Sequence, residues 1–173
     1  MSVAYNPAYK RWHQGLITLT ADSAQTNQRY YLVKFGSDQY HQAITGAATD
    51  KPLGVALDEP PANYEGTISL PGVDKHTRPG VSGSAINYGD DVYSYGGGLI
   101  TNAAGILALN TAGVYWKVGK ALTPATAAGQ FVEVAWSDPR AVVVLAALTG
   151  TANTDLTALA TALSSQAAEL MYL

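Results

Sequence analysis

A mainly β fold, a small sandwich or barrel built from an internally duplicated unit, is predicted by three observations. Short runs of alternating, β-branched or aromatic residues recur between turn signals along most of the chain. One phrase, Leu53-Gly-Val-Ala-Leu57 followed by a polar connection and Thr67-Ile-Ser-Leu70, returns as Val118-Gly-Lys-Ala-Leu122 followed by Phe131-Val-Glu-Val134. The 173 residues are 47% hydrophobic but only 13% charged, about half the usual charged fraction of about 25%. Such a surface is either bland and neutral or occupied by other subunits, where charge is depleted.

The elements follow in order. Leu16-Ile-Thr-Leu-Thr20 alternates and forms a first strand, and Ala21 to Gln28 is a loop. Arg29 to Phe35 is rich in aromatic and β-branched residues and closes on Gly36-Ser-Asp38, a turn signal. Tyr40 to Ile44 is a weaker strand ended by Thr45-Gly46. In the repeated phrase Leu53, Val55 and Leu57 share one face, as do Ile68 and Leu70 in the next strand. Pro60-Pro61 forbids helix between them. Val73 to Ile86 reads as turns, with Pro79-Gly80 and Ser82-Gly-Ser84. Asp91 to Tyr95 resumes a strand and runs into Gly96-Gly-Gly98, read as a mobile hairpin turn. Leu99-Ile100 and Ile106 to Leu109 read as short strands around a hairpin at Asn102 to Gly105. Tyr115 to Val118 leads into the second copy of the phrase, Asp138-Pro139 closes it, and a strand around Val142 follows.

The echo has an order. Tyr31 to Phe35 leads to Gly54-Val-Ala-Leu57 and then Thr67 to Leu70, as Val92 to Tyr95 leads to Gly119-Lys-Ala-Leu122 and then Phe131 to Val134. Two copies are too few for a solenoid or propeller. A duplicated β core spanning residues 16–148 is expected, flanked by an extended N-terminal arm over residues 1–15 and a helical segment over residues 149–173.

The arm holds Tyr5, Tyr9, Lys10, Arg11 and Trp12 without a period of its own, and residues of this kind suit docking on a partner. In the tail, Thr154 or Asp155 can cap a helix in which Leu156, Leu159, Leu163, Ala167 and Leu170 make one apolar stripe. That stripe docks on the chain's own core or forms a short self-association seam.

Chemistry is not signalled. The net charge of −3 carries no footprint for nucleic acid. Cysteine is absent, which removes disulfides and thiolate metal sites. Met1 to Pro7 does not read as a cleaved leader, and Ala141 to Leu148 is too short to cross a bilayer. His13, His41 and His76 are scattered, without a second ligand at metal spacing. The acids Asp58-Glu59 and Asp90-Asp91 are adjacent, so a strand sends their side chains to opposite faces. No nucleophile elbow or phosphate loop is present. No catalytic residue, cofactor or metal site is therefore expected.

The strand Gly54-Val-Ala-Leu57, its Pro/Ala/Gly-rich connection, Thr67-Ile-Ser-Leu-Pro-Gly-Val73, then Gly89-Asp-Asp-Val-Tyr93 and Val118-Gly-Lys-Ala-Leu122, resemble the capsid decoration, or cement, proteins of tailed phages. The resemblance spans Arg29 to Pro139. It implies a protein made in the host cytoplasm that sits on the capsid exterior, often as a trimer, and braces contacts between major capsid subunits. Neither nucleic acid nor membrane is then a partner, and the family supplies no catalytic residue to carry over. The arm is the expected capsid contact. Two other readings stay open: a carbohydrate- or host-binding module using Tyr88, Tyr93, Tyr95, Tyr115 and Trp116, and a tail-tube component.

Overall fold

The computed structural model describes residues 15–109 and 111–144. The expected arm, apart from Gly15, and the expected C-terminal helix lie outside the described residues. Among the described residues ten strands and one α-helix run in chain order. They are β1 (Leu16–Ala21), β2 (Leu32–Phe35), β3 (His41–Ile44), β4 (Gly54–Ala56), β5 (Glu65–Ser69), β6 (Arg78–Val81), β7 (Asp91–Ser94), β8 (Ile100–Thr101), α1 (Ala103–Ala108), β9 (Gly113–Ala121) and β10 (Phe131–Val144). The first five strands close into a barrel, and the last five form a second sheet.

The two halves are one topology used twice. Around the barrel the order is β1-β5-β4-β2-β3, and across the sheet it is β6-β10-β9-β7-β8. Each neighbour in the second list is the first advanced by five strands, and every open-ladder pair is antiparallel. The barrel shuts through a parallel β1–β3 pairing at Thr20↔His41 and Ala21↔Gln42. Its counterpart in the second half is a lone parallel bridge, Ser82↔Ile100.

The match extends to single hydrogen bonds. Tyr30 N donates to Ala56 O at 2.8 Å, and Gly89 N to Ala121 O at 2.9 Å. Ala56 N donates to Tyr31 O, and Ala121 N to Asp90 O, both at 2.9 Å. Tyr30 and Gly89 also share a left-handed backbone, with φ of 67° and 82°. Glycine takes that conformation freely, whereas a tyrosine there stores strain of about 1 kcal/mol or more. The echo is therefore a duplication, with one adjustment. The ladders pair Ala56 with Ile68 and Ala121 with Val134, so Ile68 corresponds to Val134, two residues beyond where the written phrases align it. An even shift keeps every side chain on its face.

The interiors differ in chemistry. Val33, Ala56 and Ile68 fill the barrel, flanked by Ile17, Leu19, Ile44, Leu53 and Leu70. Gln25 and Gln42 are also fully buried there. Ile86 and Ile100 take their places in the second half, where the core adds Val92, Val118, Val132 and Val134. Gln42 Nε2 reaches Leu19 O at 3.2 Å, but Gln42 Oε1 and both polar atoms of Gln25 have no partner among the described residues.

An apolar contact and an ionic one are among those that join the halves. Leu32 and Val55 alternate with Val33 and Ala56 along their strands, so they point out of the barrel. Both are fully buried because they enter the core of the second half. Tyr30 meets Phe131 edge to face, with centroids 5.9 Å apart. The second contact is ionic. Asp74, in the connection between β5 and β6, is 4% exposed. It accepts from Ser69 Oγ on β5 at 2.7 Å and from Arg78 Nε and Nη2 on β6 at 3.1 and 3.0 Å. His76 adds its backbone N–H at 3.0 Å and an Nδ1 contact at 2.7 Å. Burial alone raises the Asp74 pKa, but the bonds from Ser69, His76 and Arg78 outweigh it and bring it down to about 2.

Four expectations need correction. Asn102 to Leu109 is not a hairpin: Asn102 Oδ1 accepts from Gly105 N at 3.0 Å and caps α1, whose Ile106 is buried. The run of turns expected over Val73 to Ile86 contains β6. Its Pro79 is tolerated because β6 ladders only with β10, leaving the other edge without a demand for an N–H. β10 is continuous through Asp138-Pro139, with a register shift between Trp136 and Arg140 instead of a stop. The Gly96–Gly98 turn is docked: Gly97 N and Gly98 N donate to Gly46 O and Thr45 O at 3.1 and 2.8 Å. A Cβ on Gly98 would lie 2.7 Å from Ile44 Cγ2, so only glycine permits this approach.

Leu32→Ala should lower the unfolding free energy by about 2–5 kcal/mol, read by denaturant titration. Asp74→Asn should remove a contribution of about 2 kcal/mol at neutral pH. Because the Asp74 pKa is depressed in the fold, this contribution is present above the ordinary value of 3.8 and fades as pH falls towards about 2. The gap in Tm between wild type and Asp74→Asn should therefore close across that interval.

Candidate functional site

The acidic side chains that the sequence exposes as candidates are mostly spent on turns. Asp58 accepts from Thr67 N through both oxygens at 3.0 Å, while neighbouring Glu59 accepts from Asn27 N at 3.2 Å. Asp90 holds Asn87 N and Asn102 Nδ2, each at 2.9 Å, while Asp91 pairs with Lys117 at 2.7 Å. The two members of each adjacent pair thus serve different partners, although Asp58, Glu59 and Asp90 lie in loops and not in strands. Asp50 collects Gly46 N, Ala47 N and Lys34 Nζ at 2.8 to 3.0 Å. Among the described residues no three His, Asp or Glu side chains converge as a metal site. Among the same residues no helix is long and apolar enough to cross a membrane.

The aromatic candidates do not assemble into a stacking platform. Tyr115 is 1% exposed, and its hydroxyl donates to Thr111 O at 2.9 Å. Trp116 Nε1 donates to Thr49 O at 3.0 Å, and Lys51 lies 5.2 Å over its ring. Tyr93 and Tyr95 are half-buried, and Tyr88 stands exposed by itself. Tyr95 instead packs where a side chain on Gly83 would sit.

Two surfaces have the exposure and composition of a contact region. One end of the barrel carries Tyr40 and Tyr64, both 66% exposed, whose backbone carbonyls accept from Thr20 and Ala21 of β1. Around them stand Asp22, Asp38 and Glu65. Asp22 holds Ser37 through its N–H and hydroxyl at 2.6 and 2.8 Å. Asp38 accepts from Tyr40 N at 2.7 Å and meets His41 Nδ1 at 2.6 Å. The hydrogen bond between Asp38 and His41 holds the carboxyl below, and the imidazole above, its ordinary range. Glu65 is exposed.

The second surface is a shallow depression on the other half, lined by Asp91, Lys117, Gly119, Lys120, Ala135, Ser137 and Arg140. Among the described residues neither Lys120 nor Arg140 has an ion-pair partner. Its basic residues escaped the sequence reading: Lys117 and Lys120 share β9, and Arg140 joins them from β10, 20 residues further along the chain. One signal was available: the phrase Gly-Val-Ala-Leu of the first copy reads Gly-Lys-Ala-Leu in the second. A third surface, an apolar groove beside α1, runs along Ile106, Leu107 and Val142 to Val144. Of the sequence-predicted contact residues, Tyr5, Tyr9, Lys10, Arg11, Trp12, Leu156, Leu159, Leu163 and Leu170 all lie outside the described residues.

This architecture is similar to that of a solved phage structure, the N base of head fiber gp8.5 in bacteriophage phi29. The match has a TM-score of 0.51 and 20% sequence identity, over 72% of this chain and 95% of that one. At that identity the likeness shows the fold. No curated protein matches the sequence. The sequence profile of the phage cement proteins matches residues 12–136, which takes in both copies of the duplicated unit. On that match across most of its length, the chain belongs to the phage cement protein family.

Proposed function

We propose that the protein binds the outer surface of a phage capsid and stabilises contacts between major capsid subunits, in a structural and not a catalytic role. The observation that carries this reading is the family match over residues 12–136. The chemistry is consistent with it, since the described carboxylates are largely committed to turns and to the joint between the halves. A rigid, doubled β body suits a brace, because load passes through packed strands and not through a pocket.

In this reading residues 1–15 form a strap laid across the capsid, with Tyr5, Tyr9, Lys10, Arg11 and Trp12 as its contacts. Residues 16–148 are the body, and residues 149–173 a helical tail whose Leu156, Leu159, Leu163 and Leu170 contribute to self-association. The protein acts as a homo-oligomer, with a trimer favoured, so weak contacts per copy add up through multivalency. Trp12, buried in a subunit cleft, contributes about 2 kcal/mol per copy, in the range of interface hot spots.

Removal of residues 1–14 tests the strap. The cut stops there because Gly15 O accepts from Leu70 N at 2.7 Å, a bond that the truncated chain should keep. The truncated chain should keep its Tm yet no longer co-sediment with capsids lacking their own copy of the protein. Undiminished co-sedimentation would refute the strap.

A further inference from the structure

The duplication allows the second half to be asked what it does with the face that the first half uses. On the barrel, the outward face of β2 and β4 presents Leu32 and Val55, and the second half covers it. The ladders fix the equivalent positions. Leu32 pairs with Val55 and Val33 with Gly54, as Asp91 pairs with Lys120 and Val92 with Gly119. The corresponding face therefore carries Asp91 and Lys120, with Lys117 and Arg140 beside them, and it is the open depression. The apolar pair has become a charged one, and nothing in the described chain covers it.

The complementary surface can be found in the same way. The second half meets the barrel through Phe131 at the start of β10 and through the Gly96–Gly98 turn between β7 and β8. Phe131 pairs with Val81 as Glu65 pairs with Thr20, so Glu65 is the equivalent of Phe131. The equivalent turn, between β2 and β3, holds Asp38 and Tyr40. These residues make the acidic, tyrosine-bearing end of the barrel, and it too is uncovered among the described residues. Charge is divided accordingly. Residues 15–77 contain seven acids and four bases, and residues 78–144 contain four of each. The bases Lys117, Lys120 and Arg140 concentrate on the one depression.

We propose that a second copy of this chain occupies this face: the Lys117, Lys120 and Arg140 depression of one copy docks on the Asp38, Glu65 and Tyr40 end of the next copy's barrel. The contact repeats between chains the relation that Leu32, Val55, Tyr30 and Phe131 make within one. It is heterologous, so each copy offers one of each surface and a ring can close. Its chemistry is polar where the internal joint is apolar, which suits association of already folded chains. The inference gives a surface to the self-association proposed above and rests on that part of the reading, not on capsid binding.

Sedimentation velocity of the full chain, at low and at high salt, tests it. Wild type should associate, and association should weaken as salt screens the contact. Lys120→Glu and Glu65→Lys should each weaken it by about tenfold. The double variant carrying both changes should recover it, because every contact then pairs Glu with Lys in reversed order. Equal association of wild type and Lys120→Glu would overturn the proposal, as would a double variant no better than the singles. A wild type that stays monomeric to about 100 µM would also overturn it. Capsid co-sedimentation of the same variants separates the two readings. Rescued association by a chain that does not bind capsids leaves this contact standing and removes the capsid role.

Discussion

Leu32 and Val55 occupy positions where a barrel strand ordinarily meets water, and the rest of the molecule depends on their not doing so. Removing two such side chains from solvent contributes about 3–6 kcal/mol, a large part of the net stability of a typical domain. The barrel gains from that contribution. Its own interior is small and includes Gln25 and Gln42, whose counterparts Ile86 and Ile100 make the second half the richer core. The joint is thus a source of stability for one partner more than for the other. The Asp74 network and the docked glycine turn fix the angle at which the halves meet.

Much of this was legible in the sequence, and the reasons are local. Period-two patterning marked β1 and β5, and enrichment in aromatic and β-branched residues marked β2. The echo was visible because Gly54 and Gly119 both lie against the neighbouring strand, where a Cβ would collide, so both copies keep the same small residue. The halves' asymmetry was also written down, in Leu-Val against Asp-Val at 32–33 and 91–92, and in Val-Ala against Lys-Ala at 55–56 and 120–121. A doublet of apolar residues in a strand means that both faces are covered. Seeing what covers them required the fold.

The failures have equally specific causes. Pro79-Gly80 is a turn signal in isolation and became a strand because β10 was available to pair with it. Ala103 to Ala108 is too short for periodicity to report a helix, and its cap, Asn102, reads equally as a turn residue. The surfaces were the least legible part. Lys117 and Lys120 lie on β9, and Arg140 meets them only because β10 lies beside it. Family membership, by contrast, rests on the repeated core phrases, which are the part of the chain that packing constrains most.

The placement of Leu32 and Val55 also has a consequence in time. A chain leaves the ribosome from its N-terminus, and β1 to β5 are all available for pairing before β10 has been made. During that interval the barrel can close while its outer apolar pair faces water. Protection arrives only when β10 forms the ladder with β6 and β9 that completes the second half. The time taken to translate residues 78–144 then sets how long that apolar pair stays exposed. A tandem fold of this kind matures as a pair, and its first member is at its most vulnerable when it is already folded.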